Sequence, residues 1–510
     1  MAASQVTEYY KNKNIFITGG TGFLGIAIID KILRSCPDIG NIYLLMRSKK
    51  GKSIEQRLEE LTKNEVFETL LQTSSAAIFK KLIPITGDVS EENLGISPAD
   101  RKILVDNVNV VFHSAATLDF NESLKPTVTT NLLGTRRVMQ LCNDMRNLKS
   151  MVHVSSAYVN AYLTECEEIL YPAPESAEKV IDLATSLTES ALLELQPALL
   201  KDHPNTYTFT KHLAEHEVNK YAATFPCGIV RPSMITAAWK EPIPGWTISK
   251  NGPQGFLMGA AKGVVRRLPI GSGLVYDYIP VDTVVNQILV TGQHVFEKRS
   301  GDLTIFHCTS STCRPFRWQN VQHKVNAHLH KYPLKSAVWY PHLKFMSSLL
   351  MFKISAIFVH FIPAYILDAI TKLGGGRPIL VRLHTNVWNS LNLLQKFIFT
   401  EWKFHNKNTM KLIDSMSPGD KIKFNIDIRT LEWEEYFVSL TMGVRRFLNK
   451  EPNKTLEAAR GKDTLLLILH LLLQALIYGG IWWATASSLG MSFTKTGMVV
   501  PISYLLFSFF

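Results

Sequence analysis

The chain has 510 residues, 46% of them hydrophobic and 19% charged, which is enough for two folded units and a tail and leaves no disordered or collagen-like block. Its net charge of +12 favours an anionic partner such as a dinucleotide phosphate, an anionic substrate carrier or a membrane surface, although ordinary solvated lysine accounts for it equally well. Basic residues are scattered and never interleaved with aromatics, which argues against nucleic acid, and six cysteines without a CxxC pair read as reduced thiols in a cytosolic compartment, with no metal centre.

Met1 to Lys13 contains no apolar core of signal-peptide length, so the first domain is expected to stay in the cytosol. From Asn14 the pattern is a strand (Ile15 to Thr18), a glycine turn (Gly19 to Gly25), a helix (Ile26 to Leu33) and a second strand (Asn41 to Met46). Further apolar runs at Leu82 to Ile85, Val108 to Phe112, Ser150 to Val154 and Cys227 to Val230 alternate with helical stretches. That alternation predicts an α/β fold with a doubly wound parallel Rossmann sheet.

Thr18-Gly19-Gly20-Thr21-Gly22-Phe23-Leu24-Gly25 follows a strand and opens a helix, which turns backbone N–H groups and a positive helix end toward a pyrophosphate. Gly19 permits the tight turn, Gly22 the close approach of phosphate and Gly25 the packing of helix on strand; Thr21, Phe23 and Leu24 complete the expected cofactor contacts. Where an NAD-specific protein carries an acidic residue after the second strand, this chain has Met46-Arg47-Ser48-Lys49-Lys50. Arg47 suits a 2′-phosphate and favours NADPH, the plainer reading being a solvated basic turn. Asp88, in Gly87-Asp88-Val89, suits the adenine amino group or a helix cap.

Tyr207-Thr208-Phe209-Thr210-Lys211 puts a Tyr and a Lys on one face of a helix, so the ammonium can stabilise a tyrosinate and make Tyr207 a proton donor. Val154-Ser155-Ser156-Ala157 ends another strand; Ser156 is expected to steady a substrate oxyanion, and Ser155 reads as a strand-end cap.

Composition changes near Thr309, and the region from Lys331 to Lys450 reads as mainly helical and rich in Trp, Phe and His. Within it Phe345 to Ile370 is apolar but broken by Lys353, His360 and Pro363, which points away from a membrane span and toward a core helix pair, an acyl-chain wall or an interfacial helix. Thr464 to Ala484 is free of charge and long enough, at about 20 residues, to cross a hydrocarbon core. Gly497 to Phe510 is too short to cross unaided and is expected to be re-entrant or interfacial. The expected division is therefore 1–310 (cofactor-binding and catalytic), 331–450 (helical), 464–484 (transmembrane) and 497–510 (apolar tail).

Taken together, TGGTGFLG, FHSAAT, NLLGT, HVSSAY, YTFTK and RPSMI resemble the extended short-chain dehydrogenases and, more closely, the fatty acyl-CoA reductases. WKEPIPGW, NGPQG and YDYIPVDTVVN sharpen the match, and Val387-Trp388 with Phe424-Asn425-Ile426-Asp427 resembles that family's C-terminal domain. The resemblance implies reduction of a long-chain acyl-CoA to a primary alcohol through an aldehyde, with two NADPH and catalysis by Ser156, Tyr207 and Lys211. It further implies that Ala115 and Ala116 line the cofactor, that Asn131 supports the Lys211 proton relay through water, and that Pro232 and Ser233 face the nicotinamide. For Asn131 a helix-interior polar contact stands as the alternative. One departure is Leu118-Asp119-Phe120, where the family often carries a basic residue. The competing readings are a reductase or epimerase acting on a hydroxysteroid or nucleotide sugar, and a non-catalytic NADPH sensor. The implied location is a membrane of the endoplasmic reticulum or peroxisome, with the reductase domain facing the cytosol.

Overall fold

The computed structural model describes residues 4–49, 51–299 and 301–509; Lys50 of the basic turn and Phe510 of the apolar tail lie outside the described residues. Seven short runs become the strands of one parallel sheet: β1 (Ile15–Thr18), β2 (Ile42–Met46), β3 (Leu82–Thr86), β4 (Val110–His113), β5 (Ser150–Val154), β6 (Cys227–Pro232) and β7 (Thr304–Cys308). Their spatial order is β7-β6-β5-β4-β1-β2-β3, with every neighbouring pair parallel. The chain winds outward from β1 to β3 and restarts on the other side at β4. The C-terminal ends of β1 and β4 therefore flank the point where the winding reverses, the place at which such sheets take dinucleotides.

Strands β1, β2, β4, β5 and β6 are buried along their whole length. Covered on both faces, they read in sequence as continuous apolar runs and not as alternation. Strand β7 lies beyond the six runs recognised by hydropathy, because Thr304-Ile305-Phe306-His307-Cys308 mixes polar and apolar residues. The flanking helices used below are α1 (Phe23–Ser35), α2 (Ile54–Thr62), α3 (Gly134–Asp144), α4 (Thr206–Asn219) and α5 (Val281–Lys298). Phe16, Val111, Met151 and Ile229 of the sheet share one buried cluster with Val138 and Met139 of α3.

The residues form two compact units that interleave along the chain: 1–249 with 275–316 and 401–436, and 250–274 with 317–400 and 437–510. In the first, Lys403–Phe404 pairs with Glu165–Cys166 and Tyr278–Pro280 with Met234–Thr236. The second is mainly helical around the short pairing of Arg267–Pro269 with Lys344–Met346. Its helices include α6 (Leu349–Ala356), α7 (Ile362–Leu373), α8 (Leu380–Leu393), α9 (Leu456–Leu489) and α10 (Val499–Phe509). Helix α9 has 34 residues, about 51 Å at 1.5 Å per residue. The short α10 returns against it: the Tyr478 and Tyr504 rings lie 5.9 Å apart and Trp482 Nε1 donates to Thr496 Oγ1 at 3.1 Å. Two helical stretches are long and apolar enough to cross a membrane, Asn453–Leu489 and also Leu349–Leu373, the segment whose interruptions pointed away from a span.

Candidate active site

The glycine turn leaves β1 at Gly19, whose φ of +75° suits glycine, and a Cβ there would stand 2.8 Å from the Ala115 amide nitrogen. A Cβ on Gly25 would meet the Gly19 carbonyl oxygen at 2.2 Å, so the packing of α1 on the turn tolerates no side chain. Gly22 is the N-cap of α1 and brings no side chain to cap it. The first-turn amides of a 13-residue helix thus face the crevice with the positive end of its dipole, a surface that fits a pyrophosphate. Ala115 and Ala116 are half-buried on the loop after β4, and the Ala115 amide donates to Thr18 Oγ1 at 3.3 Å.

At the end of β2 the exposed Arg47 guanidinium donates to Asp88 Oδ2 at 3.1 Å. The other carboxylate oxygen of Asp88 accepts from the Ser90 amide at 3.0 Å and hydroxyl at 2.9 Å. Partial burial would raise the Asp88 carboxyl, but Ser90 and Arg47 outweigh it and hold it below its ordinary range. A residue that sequence reasoning missed joins this corner: Arg57 of α2 donates to the Arg47 carbonyl and, at 3.4 Å, to Thr21 Oγ1. Its signal was the Ser53–Gln56 capping box, which starts α2 and sets Arg57 in its first turn.

Helix α4 begins at Asn205, whose side chain caps the Thr208 amide at 2.9 Å, and Tyr207, Lys211 and Glu215 follow at four-residue spacing along one face. Tyr207 is hydrogen-bonded to Ser156, which sits just beyond β5 and also accepts from the Tyr158 amide at 3.2 Å. Burial pushes the Tyr207 phenol up to about 12, with the Ser156 bond working against it. The Phe120 ring lies 5.4 Å from the Tyr207 ring, so the stretch that departs from the family pattern packs an aromatic on this tyrosine.

The Lys211 ammonium points toward β5, donating to the Val154 carbonyl at 2.6 Å and to His153 Nε2 at 3.1 Å. Burial pulls Lys211 down to about 7, opposed by the Glu215 charge. The His113 ring lies 5.1 Å from that of His153, and burial keeps both imidazoles neutral. Asn131 sits in an irregular turn of helix, Val128–Leu133, where its Oδ1 accepts from the Thr117 amide at 2.9 Å and its Nδ2 donates to Thr210 Oγ1 at 3.2 Å. Pro232 closes β6, and the Ser233 amide donates to the Cys308 carbonyl at 3.1 Å.

Behind the tyrosine lies a second network that the sequence did not disclose. Ser155 Oγ donates to Glu215 Oε1 at 2.5 Å, and Arg231 of β6 grips the same carboxylate with Nε at 2.8 Å and Nη2 at 2.6 Å. Burial would raise the Glu215 carboxyl, but the Arg231 guanidinium and the Ser155 hydroxyl overcome it and leave it lowered. Arg231 continues to the Ile169 carbonyl at 2.9 Å and to His307 Nε2 at 3.2 Å. Ser155 is therefore held by a buried ion pair, beyond the strand-end cap expected of it.

Known proteins resemble this chain over nearly its whole length. Residues 17–288 match an NAD-binding family model described as male sterility protein, and residues 359–451 match a second model of the same description. The chain is 59% identical over 99% of both chains to the Drosophila melanogaster protein CG8306, provisionally named a fatty acyl-CoA reductase. It is 35% identical to fatty acyl-CoA reductase 1 of Rattus norvegicus, covering 89% of this chain and 88% of that one. Among solved structures, the terminal R domain of the myxalamid PKS-NRPS pathway superposes with a TM-score of 0.54 at 17% identity over 85% of this chain and 90% of that one. The reductase domain of a Mycobacterium tuberculosis nonribosomal peptide synthetase gives 0.54 at 16% identity over 87% and 96%. Those two likenesses concern the fold. With a nicotinamide-binding sheet, both family models in chain order and relatives matched over nearly their whole length, the chain belongs to the fatty acyl-CoA reductases, oxidoreductases of the extended short-chain dehydrogenase type.

Proposed function

We propose that the protein reduces a long-chain fatty acyl-CoA to a primary fatty alcohol through an aldehyde, consuming two NADPH. The observation that carries this reading is the buried Ser156–Tyr207 hydrogen bond, one helical turn from Lys211 and, like the glycine cradle, just beyond the C-terminal end of a strand of the same parallel sheet. Bound nicotinamide supplies a hydride at each step. Ser156 and Tyr207 hold the carbonyl oxygen of the thioester as charge develops on it, and that charge collapses to the aldehyde with loss of the CoA thiolate. In the second round the same pair holds the aldehyde oxygen, and Tyr207 hands its proton to the alkoxide. Lys211, in its charged form, lowers the cost of the tyrosinate left behind, with Asn131 supporting reprotonation. No acyl-enzyme is required. Detergent-solubilised protein given acyl-CoAs of several lengths is expected to consume two NADPH per alcohol found by gas chromatography; NADPH oxidation without alcohol would reject the reading.

In this reading the cofactor is cradled by Gly19, Thr21, Gly22, Phe23, Leu24 and Gly25, flanked by Ala115, Ala116, Pro232 and Ser233, with Asp88 on the adenine. Arg47 meets the 2′-phosphate, and Arg57, bonded to the Arg47 carbonyl, supplies a second cation. Arg47→Asp is expected to raise the KM for NADPH by at least about tenfold, the worth of roughly 1.4 kcal/mol, while leaving that for NADH within about twofold. An unchanged ratio of the two would move the phosphate contact to Arg57 or Lys49.

The protein is held in a membrane by 464–484, with its reductase unit in the cytosol. Supporting this, Lys450, Lys454, Arg460 and Lys462 precede the apolar stretch, and such residues stay on the cytoplasmic side. The 11-residue α10, about 16 Å long, is too short to cross a core of about 30 Å. In sealed endoplasmic-reticulum or peroxisomal membranes, protease should digest an N-terminal tag and spare a C-terminal one. Digestion of both tags would point to a full hairpin.

A further inference from the structure

The segment 349–400 is built unlike a membrane crossing, although its first half is apolar enough for one. His360 lies close to the middle of Leu349–Leu373, and its Nε2 accepts from the backbone amides of Arg266 at 3.0 Å and Arg267 at 3.2 Å. One turn earlier, Ser355 Oγ accepts from Arg267 Nε at 3.1 Å. A crossing helix would carry these two arginines to the centre of the hydrocarbon, where a charged side chain is strongly disfavoured. The middle of the segment is instead fastened to the globular unit.

Beyond that fastening the chain makes a helical hairpin. The Asp368 carboxylate accepts from the amides of Ile379, Leu380 and Val381 at 2.9–3.1 Å, capping α8 beside α7. The His360 and His384 rings stack at 5.0 Å across it. One side of the segment is apolar and uncovered: Phe358, Ile362, Ile366, Ile370 and Leu373 follow one another at intervals of three or four, all exposed, Leu373 by 89%. Contiguous exposed patches of this kind mark interaction surfaces.

Charge identifies the occupant. From 349 to 400 the basic residues are Lys353, Lys372, Arg377, Arg382 and Lys396, whereas the one acidic residue, Asp368, is committed to the cap. Lys372, Arg377 and Arg382 are exposed around the tip. An apolar helix side rimmed by cations fits the headgroup boundary of an anionic bilayer, into which such helices sink about 5–10 Å.

We propose that the α7–α8 hairpin lies in the plane of an anionic membrane surface as a second contact of this unit with lipid, separate from α9 and not crossing the bilayer. The proposal is independent of the reductase chemistry, and its test reads depth and not turnover. Ile366→Cys and Ile370→Cys, each in a Cys313→Ser background because the other native cysteines are buried, carry an environment-sensitive fluorophore in the full-length protein. Leu472→Cys marks α9. The protein is reconstituted into phosphatidylcholine vesicles with and without phosphatidylserine, and quenchers sit either near the headgroup or deep on the acyl chain. Labels at 366 and 370 should be quenched at least about twofold more by the shallow quencher, the label at 472 more by the deep one. The combined Lys372→Glu, Arg377→Glu and Arg382→Glu variant should lose most quenching at 366 with phosphatidylserine present, since each reversal replaces attraction to the anionic surface by repulsion. Deeper quenching at 366 than at the headgroup would overturn the proposal in favour of a span. No quenching at 366 while 472 is quenched would overturn it in favour of a protein partner or open water. Absence of quenching at 472 alone would count against the tail anchor and leave the hairpin supported by its own signal.

Discussion

Tyr207→Phe is expected to leave NADPH binding near wild type while lowering turnover by about 10² to 10⁴-fold, the usual contribution of a positioned acid. The substitution removes one oxygen from a ring that is otherwise held by packing, with Phe120 5.4 Å away and the helix capped independently at Asn205. The fold therefore has little reason to respond, and the loss should fall on the proton and on the bond to Ser156. NADPH affinity by fluorescence and single-turnover rates on acyl-CoA and on aldehyde separate the two effects. Retention of more than about a tenth of the wild-type rate on both substrates would reject the role, because an acid contributing less than tenfold is not the donor.

The largest effect on stability is expected from the pair behind the site. Arg231 and Glu215 are both fully buried, joined at 2.6 Å, and Arg231 also serves the Ile169 carbonyl. Arg231→Leu leaves the Glu215 carboxylate charged in an apolar setting with only Ser155 to answer it, and breaking such a pair costs about 3–5 kcal/mol. Thermal unfolding of the solubilised protein should fall by at least about 6 °C, taking roughly 2 °C per kcal/mol for a large domain. Arg231→Leu with Glu215→Leu, which removes both charges, should recover a good part of that loss, since apolar replacement of a buried pair is often neutral. A single variant as stable as wild type would show that water or a shifted protonation already carries the charge.

These expectations differ in how much of their basis is visible in the chain. TGGTGFLG is a local device: strand, turn and helix N-terminus fall within ten residues, so the reason for Gly25 is steric contact with Gly19 and Gly20, whereas Gly19 is required by its φ of +75° and by Ser114 and Ala115, which the neighbouring strand β4 brings alongside. The Tyr207–Lys211 spacing is likewise local, because a helix alone aligns positions four apart. The six apolar strands were legible because a sheet covered on both faces needs continuous runs. By contrast, what Lys211 touches depends on β5 arriving beneath α4, which brings in His153, a residue 58 positions away. Arg57 joins the Arg47 corner only because its capped helix turns back over the glycine loop.

By itself, then, the sequence determined the parallel sheet, a nicotinamide cofactor and the family, since each rests on short-range periodicity or on short motifs. The tertiary structure alone decided that Arg231 neutralises Glu215, that residues 401–436 fold with the sheet instead of with the helical region preceding them, and that His360 fastens an apolar helix to Arg266 and Arg267. Each of these joins groups distant in sequence whose partners are set by burial: a charge or a polar atom taken out of water must find its complement wherever the fold supplies one.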